Sequence, residues 1–103
     1  QTGEGTTMIL REKQGTRVRV TFRLPLTIWA ESVHLVGDFN DWSRTSHPLR
    51  RTRDGEWEIS MELKEGKTYQ FRYLVNGSDW QNDWNADRYV SNPFGGENSV
   101  IET

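Results

Sequence analysis

Residues 69–80 read YQFRYLVNGSDW, and this stretch decides the fold. Tyr69, Phe71, Tyr73 and Val75 alternate with Gln70, Arg72 and Leu74, the period of a strand with one aromatic face and one mixed face. Aromatic and β-branched side chains in that order suit a pleated, half-buried surface. Asn76-Gly77 offers the two positive-φ positions of a two-residue hairpin turn. The stretch therefore supplies a core face, an opposite face bearing Arg72, and a tryptophan, Trp80, just past the turn.

The same alternation recurs on both sides of it. Val18, Val20, Phe22 and Leu24 interleave with Arg17, Arg19, Thr21 and Arg23, and Pro25 ends that strand. Met8, Ile9 and Leu10 start an earlier strand that Gly15 breaks. Residues 32–36 form a short strand with Val33 and Leu35 inward. Residues 48–52 and 56–63 read as a hairpin across Asp54-Gly55, with Trp57, Ile59, Met61 and Leu63 on one face. Residues 37–42 (GDFNDW) and the long run after Trp80 are loops by composition, and residues 100–102 close a sheet. No apolar stripe has helical spacing. Seven or so short strands with regular turns predict one domain, an antiparallel β-sandwich of immunoglobulin-like architecture over 7–103, after a flexible terminus at 1–6.

Composition narrows the function classes. At 103 residues the chain can bury a core but is small for a complete enzyme. It is polar overall, and five tryptophans, three tyrosines and four phenylalanines supply the large buried areas that its aliphatic residues do not. A net charge of −2 gives no reason to expect nucleic acid or an anionic membrane as partner. Without cysteine there is no disulfide framework, thiolate zinc site or thiol nucleophile. The absence of a signal or membrane-spanning run fits a cytoplasmic protein, and a start at Gln1 reads as an excised domain.

No catalytic constellation stands out, so the chain reads as a noncatalytic module that needs no cofactor or metal. His34 and His47 lie near no nucleophile, and His34 falls on the solvent-facing phase of its strand. Asp79, Asp83 and Asp87 recur at four-residue steps but lack the glycine and closing glutamate of a calcium loop. No two carboxylates are set apart as a glycosidase pair. Gly95-Gly96 is a turn, and Arg50, Arg51 and Arg53 make a charged edge.

The tryptophans divide by phase. Trp57 is in register with Ile59 and Met61 and belongs to the core; Trp29 packs in a bend. Trp42, Trp80 and Trp84 lie on polar loops, where nothing in the periodicity buries a large ring. A displayed indole beside amide and guanidinium donors suits a sugar: the axial C–H face of a pyranose lies on the negative ring face, and Arg72 and Asn98 are placed to bond hydroxyls.

Three segments carry a resemblance. Residues 33–42 (VHLVGDFNDW), 69–77 (YQFRYLVNG) and 94–100 (FGGENSV) resemble the conserved segments of the glycogen-binding domains of carbohydrate-binding module family 48. Those domains occur in the β subunit of AMP-activated protein kinase and at the N-terminus of isoamylases and branching enzymes. The resemblance implies an immunoglobulin-like sandwich that binds α-1,4-linked glucans such as glycogen, starch or maltooligosaccharides. It makes Trp42 and Trp80 stacking platforms and puts Arg72 where kinase-type domains have a hydrogen-bonding lysine. Asn98 would hold sugar hydroxyls, and Phe94 stands where a leucine reaches the glucan. Two departures matter. One extra residue separates Gly77 from Trp80, and Trp84 replaces a common proline as a third platform or a packed ring. The alternative is an interdomain or assembly module, packed on an α-amylase-type glycoside hydrolase domain or a kinase subunit and binding little sugar.

Overall fold

A computed structural model describes residues 8–24, 30–93 and 96–103. The flexible terminus expected at 1–6, the packed ring expected at Trp29 and the glucan contact expected at Phe94 lie outside the described residues. Two antiparallel sheets face each other. The first has the order β1 (Met8–Gln14), β2 (Arg17–Leu24), β5 (Trp57–Lys64), β4 (Arg50–Arg51). The second runs β3 (Val33–Gly37), β6 (Thr68–Val75), β9 (Glu97–Glu102), β8 (Arg88–Ser91), with β7 (Asp79–Gln81) added beside β6. This is the immunoglobulin-like sandwich expected, and no described helix is long and apolar enough to cross a membrane.

The core follows the alternation. Val20 and Phe22 of β2 and Leu35 of β3 are fully buried, as is Phe71 of β6, with Tyr73 and Val75 nearly so. Phe22 and Phe71 join the two sheets edge-to-face at 5.1 Å, and Phe71 meets Tyr73 at 5.8 Å. The Tyr73 hydroxyl donates to Asp83 Oδ2 at 2.6 Å inside the sandwich. Burial, followed by the Asp83 carboxylate, pushes the Tyr73 hydroxyl well above its ordinary pKa. Arg11 of β1 pairs with Asp87 at 2.7 Å and ties the first sheet to the segment before β8.

Four local readings change. Asn76 and Gly77 do take positive φ, at 55° and 76°, but pairing resumes at Val75–Asp79, so three residues lie between the paired positions. The loop expected after Trp80 contains a strand, β8, which pairs with β9; its few apolar residues at a sheet edge give little alternation to read. His34 is not solvent-facing. Residues 47–49 run alongside β3, with Leu35 N–H donating to His47 O and Leu49 N–H to Val33 O, and leave His34 half-buried with its Nδ1 out of solvent. The mixed face of β6 is also less open than its polarity suggests: Val36, Leu74 and Val100 are buried there, outside the core between the sheets. They form an apolar floor on the outer face of the second sheet.

Candidate functional site

The loop after β3 is held from three directions. Gly37 closes the approach of β3 to β6: a Cβ there would stand 2.5 Å from the Gln70 carbonyl oxygen and 2.7 Å from Phe71 Cβ. Its φ of −174° is ordinary extended backbone, so the glycine serves space and not conformation. Phe39 enters an aromatic cluster, 6.0 Å from Tyr69 and 6.1 Å from Phe22. Asn40 clasps the turn, accepting from Gly37 N–H at 3.1 Å and donating to Leu35 O at 3.0 Å. These anchors support two consecutive left-handed residues, Asp41 (φ 55°) and Trp42 (φ 57°). Such a conformation costs of order 1 kcal/mol or more per non-glycine residue and persists only where surrounding contacts impose it.

That backbone delivers the Trp42 ring to the outer face of the second sheet. Its Nε1 donates to Asp38 Oδ1 at 2.9 Å, while Asp38 Oδ2 accepts the Gln70 backbone N–H at 2.8 Å. The indole is thereby fixed to β6 through a single carboxylate.

Trp80 arrives from the other side. It pairs with Leu74 across the β6–β7 hairpin and so shares the outward phase with Gln70 and Arg72. The extra residue in the turn therefore does not remove it from this face. Asn76 Oδ1 accepts the backbone N–H groups of Glu31 and Ser32, at 2.7 and 3.3 Å, and steadies the turn against the chain leading into β3. The guanidinium carbons of Arg72 and Arg44 lie 5.7 and 5.4 Å from the Trp80 ring centroid. Arg72 Nε is buried and has no hydrogen-bond partner among the described residues.

The third wall is a chain of amides. Asn92 Nδ2 donates to Asn98 Oδ1 at 3.2 Å, and Asn98 Nδ2 donates to Gln70 Oε1 at 3.0 Å. Together the three walls bound a cleft of about 620 Å³. It is lined by Asp38, Trp42 and Arg44, by Gln70 and Arg72 of β6, by Trp80 of β7, and by Asn92, Pro93 and Asn98.

Of the residues singled out in the sequence, Trp42, Arg72, Trp80 and Asn98 thus converge on one cleft. Asn98 is 8% exposed and already engaged at both ends of its amide, so it braces the wall as well as facing the cavity. Trp84 is 55% exposed but does not line the cleft. Asp38, Arg44, Gln70, Asn92 and Pro93 line it without having been singled out. Gln70 carried a signal, being in phase with Arg72 on β6. Asn92 and Pro93 had none until β8 placed them. The acidic run does not converge: Asp83 is buried, where its Oδ1 accepts the Asn85 N–H, and Asp87 binds Arg11 and the Glu102 N–H.

The model of carbohydrate-binding module 48 (isoamylase N-terminal domain) matches residues 11–95. The 1,4-alpha-glucan branching enzyme GlgB of Novosphingobium aromaticivorans is 36% identical over 79 residues, which are 69% of this chain and 11% of that enzyme. The GlgB of Lactobacillus acidophilus is 48% identical over 63 residues, 57% of this chain and 9% of that enzyme. The 1,4-alpha-glucan-branching enzyme of Dictyostelium discoideum is 60% identical over 30 residues, 29% of this chain and 4% of that enzyme. The chain thus spans only about a tenth of the length of the first two relatives.

Proposed function

We propose, from the premise that this chain belongs to the carbohydrate-binding module 48 family, that the cleft on the second sheet binds an α-1,4-linked glucan and performs no chemistry on it. The observation that carries this is that Trp42 and Trp80, brought in by different elements, line one open cleft together with Gln70 and Arg72. An indole has an apolar, electron-rich face that suits sugar C–H groups, Arg44 and Arg72 lie over that of Trp80, and the amides and guanidinium groups meet the hydroxyls at the ring edges. A single glucose cannot cover two separated rings, so a short curved oligosaccharide is the preferred ligand. Affinity is modest, on the order of micromolar to millimolar, because a shallow site buries little area and part of the gain offsets ordering of the chain.

Titration of maltoheptaose or β-cyclodextrin, followed by tryptophan fluorescence and NMR shifts, tests the assignment. Wild type should bind, and Trp42→Ala and Trp80→Ala should weaken binding while remaining folded. Equal binding by both variants would overturn the placement of the site. Alanine variants of Phe94 and Trp84, titrated alike, assign those two residues as contacts or not.

A second reading has its own support: the relatives are branching enzymes of which this chain matches only a small part. In it the same face packs on an α-amylase-type catalytic domain. Passage of the folded domain through an amylose column without retardation would favour that reading.

A further inference from the structure

The cleft carries more positive charge than a neutral sugar needs. Hydroxyls are met by amides as well as by cations, and Gln70, Asn92 and Asn98 already supply amides. Arg44 and Arg72 nevertheless both lie over Trp80, at 5.4 and 5.7 Å. The ion pairs among the described residues are Arg11–Asp87, Lys13–Glu65, Arg23 with Glu56 and Glu58, and Arg88–Glu102, so neither cleft arginine is neutralised by one. The carboxylate that lines the cleft, Asp38, has one oxygen committed to the Trp42 indole and the other to the Gln70 backbone N–H.

Arg72 also has unused donor capacity. Its Nε, although buried, has no hydrogen-bond partner among the described residues. Its Nη1 lies 3.9 Å from where a Cβ would project at Gly96, so position 96 itself puts no side chain over that nitrogen. A guanidinium carries five N–H donors, so those of Arg44 and the Nη groups of Arg72 remain available to an oxyanion.

We infer that the cleft prefers an α-glucan bearing a phosphate monoester, with the phosphate held between Arg44 and Arg72 and the adjoining pyranose on Trp42. This rests on the glucan-binding reading above and adds the chemical class of substituent that the site selects. A phosphate carries close to two negative charges at neutral pH and three acceptor oxygens, enough to engage both guanidinium groups. The overall charge of −2 does not oppose this, since the local field within the cleft is set by its own lining.

The test compares maltoheptaose with maltoheptaose phosphorylated on one primary hydroxyl, by isothermal titration against wild type and Arg44→Gln. At low salt the phosphorylated chain should bind wild type about tenfold tighter, the gain expected of charge-assisted hydrogen bonds. That preference should shrink in about 0.5 M salt, and the ratio between the two ligands should approach unity in Arg44→Gln. Equal affinities of wild type for both chains would overturn the inference and leave glucan binding intact. Failure of both chains to bind would overturn the glucan reading with it. Inorganic phosphate and glucose 6-phosphate serve as controls: either binding as tightly as the phosphorylated chain would show a general anion site and overturn the preference for a glucan.

Discussion

Asp38 joins the Trp42 indole to strand β6: one carboxylate oxygen takes the Nε1 proton at 2.9 Å, the other the Gln70 amide proton at 2.8 Å. The ring is therefore oriented before any ligand arrives, which lowers the ordering cost of binding. Asp38→Ala should loosen the ring and leave the Gln70 N–H without its acceptor. Maltoheptaose affinity should fall several-fold, with a stability loss of about 1 kcal/mol. Titration together with a denaturant melt checks both; unchanged affinity would mean that Trp42 orients without Asp38.

Gly37→Ala tests the close approach of β3 to β6. The added methyl would meet the Gln70 carbonyl oxygen at 2.5 Å, and that atom is backbone within a sheet, so it cannot swing aside. Destabilisation of about 2–3 kcal/mol is expected, the range for a forced overpacking. Broadened or shifted NMR signals should appear first at Asp38, Phe39 and Gln70. A melt within about 0.5 kcal/mol of wild type would show that the strands part without cost.

Phe71 is fully buried at the contact between the sheets, touching Phe22, Phe39 and Tyr73. Phe71→Ala should cost about 3–5 kcal/mol, much of the stability of a domain of this size. Because Arg72 faces the opposite way, the variant should bind glucan normally at temperatures where it remains folded. A loss below about 1 kcal/mol in urea would contradict the burial.

The Tyr73–Asp83 contact gives stability an alkaline limit. The folded Tyr73 hydroxyl titrates well above its ordinary value of 10.0, mainly because burial disfavours the phenolate, with the Asp83 charge adding to it. Its contribution is thus complete below pH 10.0 and declines as pH rises through the folded value, because the unfolded chain loses the proton first. The midpoint of urea unfolding should fall above that pH. Tyr73→Phe should flatten this dependence while costing about 1–3 kcal/mol at neutral pH, since buried Asp83 loses a donor. An identical alkaline decline in the variant would assign the effect to other groups.

Much of this was written locally. Alternation along residues 69–75 and 17–24 specified which side chains enter the core, because a strand has only two faces and water separates them by polarity. That same alternation put Arg72 on the outside, and polar surroundings marked Trp42 and Trp80 as displayed rings, although Trp80 stands on strand β7 and not on a loop. The sequence by itself thus determined the core strands, the sandwich and the outward position of Arg72, but not strands β7 and β8. The assembly of the cleft was decided elsewhere. Asp38, Arg44, Asn92 and Asn98 are separated along the chain and meet only because β6 pairs with β3 on one side and β9 on the other. Strand β8, with few apolar residues, forms because β9 offers it a ladder of backbone partners, and it brings Asn92 to the rim. His34 was placed in solvent by its phase and became half-buried because residues 47–49 run alongside β3. Period and polarity are carried by neighbours in the chain; sheet order, coverage of a face and convergence of side chains depend on long-range backbone pairing, which no local pattern encodes.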